Sequence, residues 1–208
     1  MAHVPASERR PQLIQAAIDL MAREGIAAGS TRAIAAELGV AQATVHYTFG
    51  TKKDLYRAVV EELTAEFINQ VRAASPGHGT FGEQVRTMVY ALWESAVGEG
   101  GRCALITEFA AMSLRDPELQ EIMRALQYEI ESTAAELLTA LAEAHGQELA
   151  TPAHEIAVLF LVGFNGLTDR YLVLRRAGER PDAEALHTLD LLIATTVGLC
   201  LGAPARLP

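Results

Sequence analysis

The sequence predicts an all-α protein of about nine helices. Apolar residues recur at helical spacing in almost every long segment, and no run alternates apolar and polar residues as a half-buried strand does. Half of the 208 residues are hydrophobic and 21% are charged, which is enough apolar material for a sizeable core. The length suits a small domain joined to a larger one, so we expect a three-helix head at residues 1–50 and a helical domain at residues 51–208.

The first three helices are predicted to be closely spaced and separated by glycines. Gly25 ends the first helix, Gly39 separates the second from the third, and Gly50 follows the third. Ser30 or Thr31 can cap the second helix, because a hydroxyl at that position accepts a hydrogen bond from a free backbone N–H. The expected ranges are about Arg9–Glu24, Thr31–Leu38 and Gln42–Tyr47.

Six longer helices are predicted after the head. Thr51 and Asp54 form a capping box with Asp in place of the usual Glu. Asp116-Pro117 and Thr151-Pro152 are start signals, in which proline follows a side chain that can cap a helix. The expected ranges are about Thr51–Ala74, Phe81–Val97, Arg102–Leu114, Asp116–Ala144, Thr151–Ala177 and Pro181–Gly202.

Charge is distributed unevenly along the chain, whose net charge is −9. Residues 1–60 hold seven Lys/Arg and five Asp/Glu, a net of +2. Residues 61–208 hold ten and twenty-one, a net of −11. The N-terminal part is therefore the one suited to an anionic partner, although a net of +2 is modest by itself.

The two cysteines, Cys103 and Cys200, stand far apart without CxxC spacing, so they indicate neither a disulfide framework nor a zinc site. This usage, and the absence of an apolar signal-peptide segment in residues 1–12, favour a cytoplasmic protein. The longest apolar runs, Ile156–Leu167 and Leu189–Leu201, are about a dozen residues each and too short to cross a membrane. No metal, cofactor or catalytic site is expected, because the histidines are scattered and no nucleophile has a placed His/Asp pair.

Residues 30–47 have the spacing of a helix-turn-helix. Ile34, Ala35 and Leu38 are expected to face the core from its first helix and Val45 from its second, with Gly39 allowing the tight turn. The outward face of the second helix is then free to enter a major groove, and none of its side chains is acidic. They are Gln42, Ala43, Thr44, His46 and Tyr47. The alternative is a helical hairpin used only for packing.

A wider set of residues around this motif resembles the TetR family of regulators. The resemblance covers about residues 12–60, and its positions lie at fixed spacing through four predicted helices. They are Leu13-Ile14-Gln15-Ala16-Ala17, Leu20, Gly25, Thr31, Ile34-Ala35, Leu38-Gly39-Val40, Thr44, Tyr47, Phe49 and Thr51-Lys52-Lys53-Asp54-Leu55. The total length and the helical remainder also match this family. The resemblance implies a dimeric, ligand-responsive, DNA-binding regulator.

The resemblance also implies roles for individual side chains of the head. Phosphate contacts position a protein on DNA, whereas base contacts specify the sequence bound. The side chains implied to contact phosphates are Thr31, Arg32, Thr44, Tyr47 and Lys52, the last with help from a helix dipole. The side chains implied to face base edges are Gln42, Ala43 and His46.

Two positions depart from the family pattern. The family usually has Tyr where His46 stands, and His or Tyr where Thr48 stands, which bears on the operator sequence more than on DNA binding. The charge of His46 can change near neutrality and would then make binding mildly pH-dependent. The alternative is a neutral histidine that only forms hydrogen bonds.

The last two predicted helices are expected to form a homodimer interface. The resemblance implies a four-helix interface, and the sequence supports it independently because both helices are apolar nearly all round. The apolar residues are Ile156, Val158, Leu159, Phe160, Leu161, Val162, Phe164 and Leu167, then Leu186, Leu189, Leu191, Leu192, Ile193, Val197 and Leu199. Two recognition helices would then lie about one DNA turn, about 34 Å, apart. A monomer that buries both helices in its own core is the alternative.

The middle helices are expected to enclose a pocket for a small, largely apolar effector. Met and aromatic side chains suit adaptable apolar pockets, although each such residue could equally be core. Polar groups inside the apolar stretches need a partner, which could be another helix, the dimer mate or the effector. The candidate lining residues are Phe67, Val71, Met88, Leu92, Trp93, Cys103, Ile106, Phe109, Met112, Met123, Leu126, Phe164, Asn165, Thr168 and Tyr171.

We therefore expect a transcriptional repressor that a ligand releases from a pseudo-palindromic operator, and not an enzyme. The expected partners are double-stranded operator DNA, a small-molecule effector and a second copy of the chain, with no membrane. Two alternatives stay open. One is a binding module with this fold that has lost operator binding, which the weak positive charge of the head favours. The other is a helical enzyme that uses the pocket.

Overall fold

The computed structural model describes residues 6–73, 78–98 and 101–202. In these ranges every regular element is helical, which confirms the predicted fold class. The α-helices are α1 (Ala6–Glu24), α2 (Thr31–Glu37), α3 (Gln42–Phe49), α4 (Lys52–Ala73), α5 (Phe81–Val97), α6 (Arg102–Ser113), α7 (Pro117–Ala144), α8 (Ala153–Arg176) and α9 (Asp182–Leu201). A single 3₁₀ turn, Ile26–Ala28, lies between α1 and α2. Residues 1–5, part of the segment in which no signal peptide is expected, lie outside the described residues.

Side-chain caps set the helix boundaries of the head. The Ser30 hydroxyl accepts a hydrogen bond from the Ala33 N–H at 3.2 Å, so Ser30 and not Thr31 caps α2. Thr51 and Asp54 form the predicted reciprocal cap before α4. The Asp54 N–H donates to Thr51 Oγ1 at 3.1 Å, and the Thr51 N–H donates to Asp54 Oδ2 at 3.3 Å. Each cap satisfies backbone donors that the first helical turn leaves free.

The two start signals that contain proline differ in outcome. Asp116 Oδ1 accepts a hydrogen bond from the Glu118 N–H at 3.0 Å, and Pro117 is the first residue of α7, as predicted. In contrast, α8 begins at Ala153, and its N-cap residue is Pro152, whose side chain has no polar atom. The prediction that Thr151 starts its helix in the way that Asp116 does is therefore wrong.

Helix contacts divide the chain into two compact units. The first unit consists of residues 1–66 and 98–126 and therefore groups α1, α2, α3 and α6 with the N-terminal parts of α4 and α7. Its core contains Leu13, Ile18, Leu63 and Phe109, each of which is 0% exposed. The domain boundary expected at residue 50 stays a prediction.

The second unit consists of residues 67–97 and 127–208. In it, α8 and α9 pack along each other, and α5 packs against both. The Trp93 ring meets Phe164 and Tyr171 edge-to-face, with ring centroids 6.2 Å and 5.1 Å apart, which is a favourable geometry for aromatic pairs. Ile156 of α8 and Leu189 of α9 are both buried in this interior.

Helices α8 and α9 are longer than the apolar runs that predicted them. They have 24 and 20 residues, and an 18-residue window in each has a mean hydropathy of 1.4, so both are long and apolar enough to cross a membrane. The prediction that these segments are too short to do so is therefore wrong, because the helices extend beyond the apolar runs. Length and composition alone are weak grounds for a membrane span, since buried helices of soluble proteins have the same properties.

Candidate nucleic-acid interface

Helices α2 and α3 form the predicted helix-turn-helix. Ile34, Ala35 and Val45 are buried at 0%, 3% and 0% exposure, as predicted. Gly39 has φ of 63°, the left-handed region that glycine enters without strain, and the Val40 N–H donates to the Ala35 carbonyl at 2.9 Å. The buried residues and this tight turn fix the angle at which α3 leaves α2.

Leu38 does not join this core. Its side chain is 36% exposed, so the prediction that it faces the interior is wrong. Helix α2 ends at Glu37, and Leu38 is its C-cap residue. The chain turns at the next residue, so the side chain is not held on the buried stripe that Ile34 and Ala35 form.

The outward face of α3 is open to solvent, as predicted. Gln42, Ala43 and His46 are exposed, Thr44 is half-buried, and Tyr47 is 91% exposed. A tyrosine usually places much of its ring in a protein interior or in an interface. The exposure of almost the whole Tyr47 side chain, on a face without acidic residues, therefore indicates a surface that meets a partner.

Three polar side chains connect the start of α2 to this face. Gln42 Nε2 lies 3.1 Å from Thr31 Oγ1 and 3.4 Å from His46 Nε2. Thr31 Oγ1 lies 3.3 Å from His46 Nε2. We call this group the Thr31–Gln42–His46 triad. It links a residue that the resemblance assigns to phosphate with two that it assigns to base edges.

Some basic side chains of the first unit already have acidic partners. Arg23 Nη2 lies 3.2 Å from Glu37 Oε1. Lys53 Nζ lies 3.8 Å from Glu121 Oε2 on α7. Their charges are largely compensated within the protein, so they are weaker candidates for phosphate contacts than their positions in the sequence indicate.

Arg32 and Lys52 differ from these paired residues. Among the described residues, neither has a carboxylate within salt-bridge distance, and both are exposed. Lys52 Nζ lies over the Tyr56 ring, 5.0 Å from its centroid, a cation–π contact that leaves the positive charge uncompensated. Lys52 is also the first residue of α4, where the backbone N–H groups and the helix dipole attract anions.

The cap beside Lys52 keeps a carboxylate ionised. Hydrogen bonds from the Thr51 hydroxyl, and secondarily from its backbone N–H, hold the pKa of Asp54 below its ordinary value. An ionised Asp in the first turn of α4 is favourable for the helix. It stabilises the start of the helix that carries Lys52.

Comparisons with known proteins agree with the geometry in indicating a DNA-binding helix-turn-helix. Residues 13–59 match the family described as bacterial regulatory proteins, tetR family. This segment includes all of α2 and α3 and the beginning of α4. The HTH-type nicotine-responsive transcriptional repressor HdnoR from Paenarthrobacter nicotinovorans is 27% identical over 168 residues, which are 79% of this chain and 84% of that protein. The chain is thus similar to TetR-family regulators, and the family match itself lies in the head.

Solved structures share this fold over most of the chain. A transcriptional regulator from Rhodococcus sp. Rha1 is 21% identical with a TM-score of 0.71, over 90% of this chain and 95% of that one. A transcriptional regulator from Saccharomonospora viridis in complex with choline is 22% identical with a TM-score of 0.71, over 89% of this chain and 96% of that one. At these identities the likeness establishes the fold. The family match in the head and the similarity to the nicotine-responsive repressor identify the chain as a DNA-binding transcriptional regulator.

The residues predicted to line an effector pocket are divided between the two units. Those in the first unit are Cys103, Ile106, Phe109, Met112, Met123 and Leu126. Those in the second are Phe67, Val71, Met88, Leu92, Trp93, Phe164, Asn165, Thr168 and Tyr171. Asn165 is exposed and Met112 is 40% exposed, whereas the Thr168 hydroxyl donates to the Phe164 carbonyl at 2.8 Å. The backbone of α8 thus provides the hydrogen-bond partner that the Thr168 hydroxyl needs.

Glu131 is a buried acidic residue that the sequence did not indicate as functional. It is 9% exposed on α7, and its carboxylate accepts a hydrogen bond from Gln127 Nε2 at 2.7 Å. A buried carboxylate is costly unless it is compensated, so this position can attract a cationic group. Helical periodicity does not identify it, because a single Glu in a long amphipathic helix usually faces water.

Proposed function

We propose that the chain is a cytoplasmic, homodimeric repressor that binds a pseudo-palindromic operator through α3 and is released by a small-molecule effector. The observation that carries this proposal is the exposed, non-acidic face of α3, with Tyr47 91% exposed. On this proposal Gln42, Ala43 and His46 meet base edges in the major groove. Thr31, Arg32, Thr44, Tyr47 and Lys52 contact phosphates and set the register.

The proposed dimer interface is an apolar face of α8 and α9. Leu159, Val162 and Val173 are 52%, 65% and 68% exposed and follow one side of α8. Leu186 and Leu201 of α9 are 37% and 43% exposed. Apolar side chains exposed in this number on two helices are typical of a contact site. A second copy of the chain accounts for it, and also for the high hydropathy of both helices, without a membrane.

Contacts from α6 provide a route from an effector to the head within the first unit. Arg102, the first residue of α6, lies 3.4 Å from Asp19 on α1 and 3.0 Å from Glu66 on α4. The Glu66 contact is an ion pair without hydrogen-bond geometry. Further along α6, Glu108 Oε2 accepts a hydrogen bond from the Ile26 N–H at 3.3 Å. Movement of α6 would therefore displace the segment that leads into α2.

Release requires that the effector bind the DNA-incompetent state more tightly than the DNA-bound state. A coupling free energy of about 1–3 kcal/mol is typical and would weaken DNA binding about 5- to 150-fold. We propose an effector with an apolar body and a basic nitrogen. Its support is the buried Glu131 carboxylate, together with the nicotine response of one relative and the choline bound to another.

A gel-shift assay at low salt tests this function. The probe is duplex DNA that flanks the gene for this chain, and the wild-type protein is first shown to be a folded dimer. We expect a shifted band that a panel of apolar amines, including nicotine and choline, reduces for at least one member. No shift at low salt would leave the operator-free binding module as the better account. Chemical turnover of a panel member would favour the enzyme.

A further inference from the structure

The Gln42 amide has limited hydrogen-bonding capacity. A glutamine side chain offers two hydrogens on Nε2 and one acceptor, Oε1. In the Thr31–Gln42–His46 triad, Nε2 lies 3.1 Å from Thr31 Oγ1 and 3.4 Å from His46 Nε2. Both Nε2 hydrogens therefore have a partner within the protein. Oε1 is the group of this amide that is left to meet a base.

The triad is also compatible with a phosphate contact by Thr31. A hydroxyl can accept one hydrogen bond while it donates another. Thr31 Oγ1 can accept from Gln42 and give its own hydrogen to a phosphate oxygen. This arrangement requires the His46 tautomer that carries its hydrogen on Nδ1, because Nε2 then accepts the second Gln42 hydrogen. DNA binding thus leaves the Gln42 bonds in place.

We propose that Thr31 and His46 hold the Gln42 amide so that only Oε1 reads the DNA, and that Gln42 selects bases by their amino group. This inference rests on the proposed function of α3. An unrestrained glutamine pairs with adenine through both N6 and N7. A held glutamine cannot donate a hydrogen bond to adenine N7. Its Oε1 therefore accepts a hydrogen bond from adenine N6 or from cytosine N4 equally well. On the strand that it contacts, it rejects guanine and thymine, whose major-groove edges offer acceptors.

Selection from a randomised duplex DNA library tests this proposal with the full-length chain. The variants are Gln42→Ala, the double variant Thr31→Val/His46→Ala, and Thr139→Val as a control at an exposed threonine of α7, outside the DNA-binding face. Circular dichroism first establishes that each variant is folded. In wild type we expect one operator position occupied about equally by adenine and cytosine, and Gln42→Ala should lose the preference at that position.

The double variant frees the Nε2 hydrogens, so it should favour adenine over cytosine about fivefold or more, which is the lower limit of discrimination by a bidentate pair. The Thr139→Val variant should keep the wild-type preference. An unchanged adenine-to-cytosine ratio in the double variant would overturn the proposal, as would a Gln42→Ala variant that retains the preference. If wild type enriches no sequence, the proposed function itself fails, which distinguishes the two failures.

Discussion

Lys52 and Lys53 are adjacent in sequence and lie in opposite electrostatic surroundings. Lys53 faces Glu121 at 3.8 Å, whereas Lys52 lies over an aromatic ring at the N-terminus of α4. We expect Lys52→Ala to weaken DNA binding about equally for all sequences. It should also lower the slope of log affinity against log salt by about 1, because one phosphate contact is lost.

The measurement is fluorescence anisotropy of a labelled duplex over a series of salt concentrations. Lys53→Ala is the matched control, because it removes the same charge from the next position, and it should leave the slope nearly unchanged. Equal losses of slope for the two variants would show that net charge matters and that the geometry of Lys52 does not.

Individual residues differ in how far the sequence predicts their surroundings. The exposure of Gln42 and His46 follows from the spacing of the helix-turn-helix, since buried Ile34 and Val45 determine which face of α3 points outward. The hydrogen bonds of the triad do not follow, because they depend on the rotamers of three side chains from two helices. The burial of Leu38 was predicted wrongly. Helix α2 ends one residue before it, and helix ends cannot be predicted from the sequence to within a single residue.

The buried Ile34 of α2 and the exposed Leu38 at its C-cap should differ in their contribution to stability. Ile34 is 0% exposed, so Ile34→Ala should lower the free energy of unfolding by about 2–5 kcal/mol. Leu38 is 36% exposed, so Leu38→Ala should cost less than half of that. Urea unfolding followed by circular dichroism measures both. A loss for Leu38→Ala equal to that for Ile34→Ala would contradict the packing of this helix pair.

At the level of the helices, the N-terminal caps of α4 and α5 should make the free energy of unfolding depend on pH in the acid range. Hydrogen bonds from Thr51 and from Thr80 lower the pKa of Asp54 and of Glu83. A carboxyl group whose pKa is lower in the folded state contributes stability above its unfolded pKa. That stability is lost as the pH falls through the folded value. We therefore expect stability to decrease below about pH 4, the ordinary range of these groups.

The double variant Asp54→Asn/Glu83→Gln should lose part of this pH dependence. Urea unfolding at several pH values between neutrality and the acid range gives the comparison with wild type. Glu129→Gln, which replaces an exposed glutamate of α7, controls for the removal of a negative charge. Identical pH dependence in wild type and the double variant would contradict the role of the caps.

Helical spacing predicts elements better than it predicts their ends. Each of the nine α-helices in the described part of the chain was expected near its observed position, because apolar periodicity persists over many residues. The 3₁₀ turn at Ile26–Ala28 was missed, since three residues are too few to carry a period. The reciprocal cap of Thr80 and Glu83 before α5 was also missed, although its Thr-x-x-Glu spacing is visible in the sequence.

For the whole molecule, the exposed apolar face of α8 predicts the effect of charge on assembly. Leu159 and Val162 are both more than half exposed in the monomer, so Leu159→Asp/Val162→Asp should leave each chain folded. Carboxylates within an apolar interface would be buried without partners, so the variant should be monomeric. It should also bind operator DNA more weakly, because two linked heads bind two half-sites.

Light scattering coupled to size-exclusion chromatography measures the mass of each variant. Leu114→Asp is the matched control, because Leu114 is 81% exposed between α6 and α7 and away from the proposed interface in sequence. It should remain dimeric. A dimeric α8 variant, or a wild-type monomer, would contradict the proposed interface.

The grouping of helices into units is the feature that the sequence predicts least well. Asp19 and Arg102 are separated by 83 residues, yet they form a contact within the first unit. Such pairs leave no periodic signal, since each residue alone resembles an ordinary surface charge. The attachment of α6 to the head therefore emerges only from the folded chain.

The central claim is that the outward face of α3 binds operator DNA. Ala43 is exposed in the middle of this face, so Ala43→Glu adds a negative charge there without disturbing the core. Affinity of the folded dimer for the flanking duplex should fall at least about tenfold, because like charges at an interface are strongly unfavourable. The control Ala65→Glu makes the same change at an exposed position of α4, and this variant should bind as wild type does. Equal affinity of the Ala43→Glu variant and wild type would contradict the account.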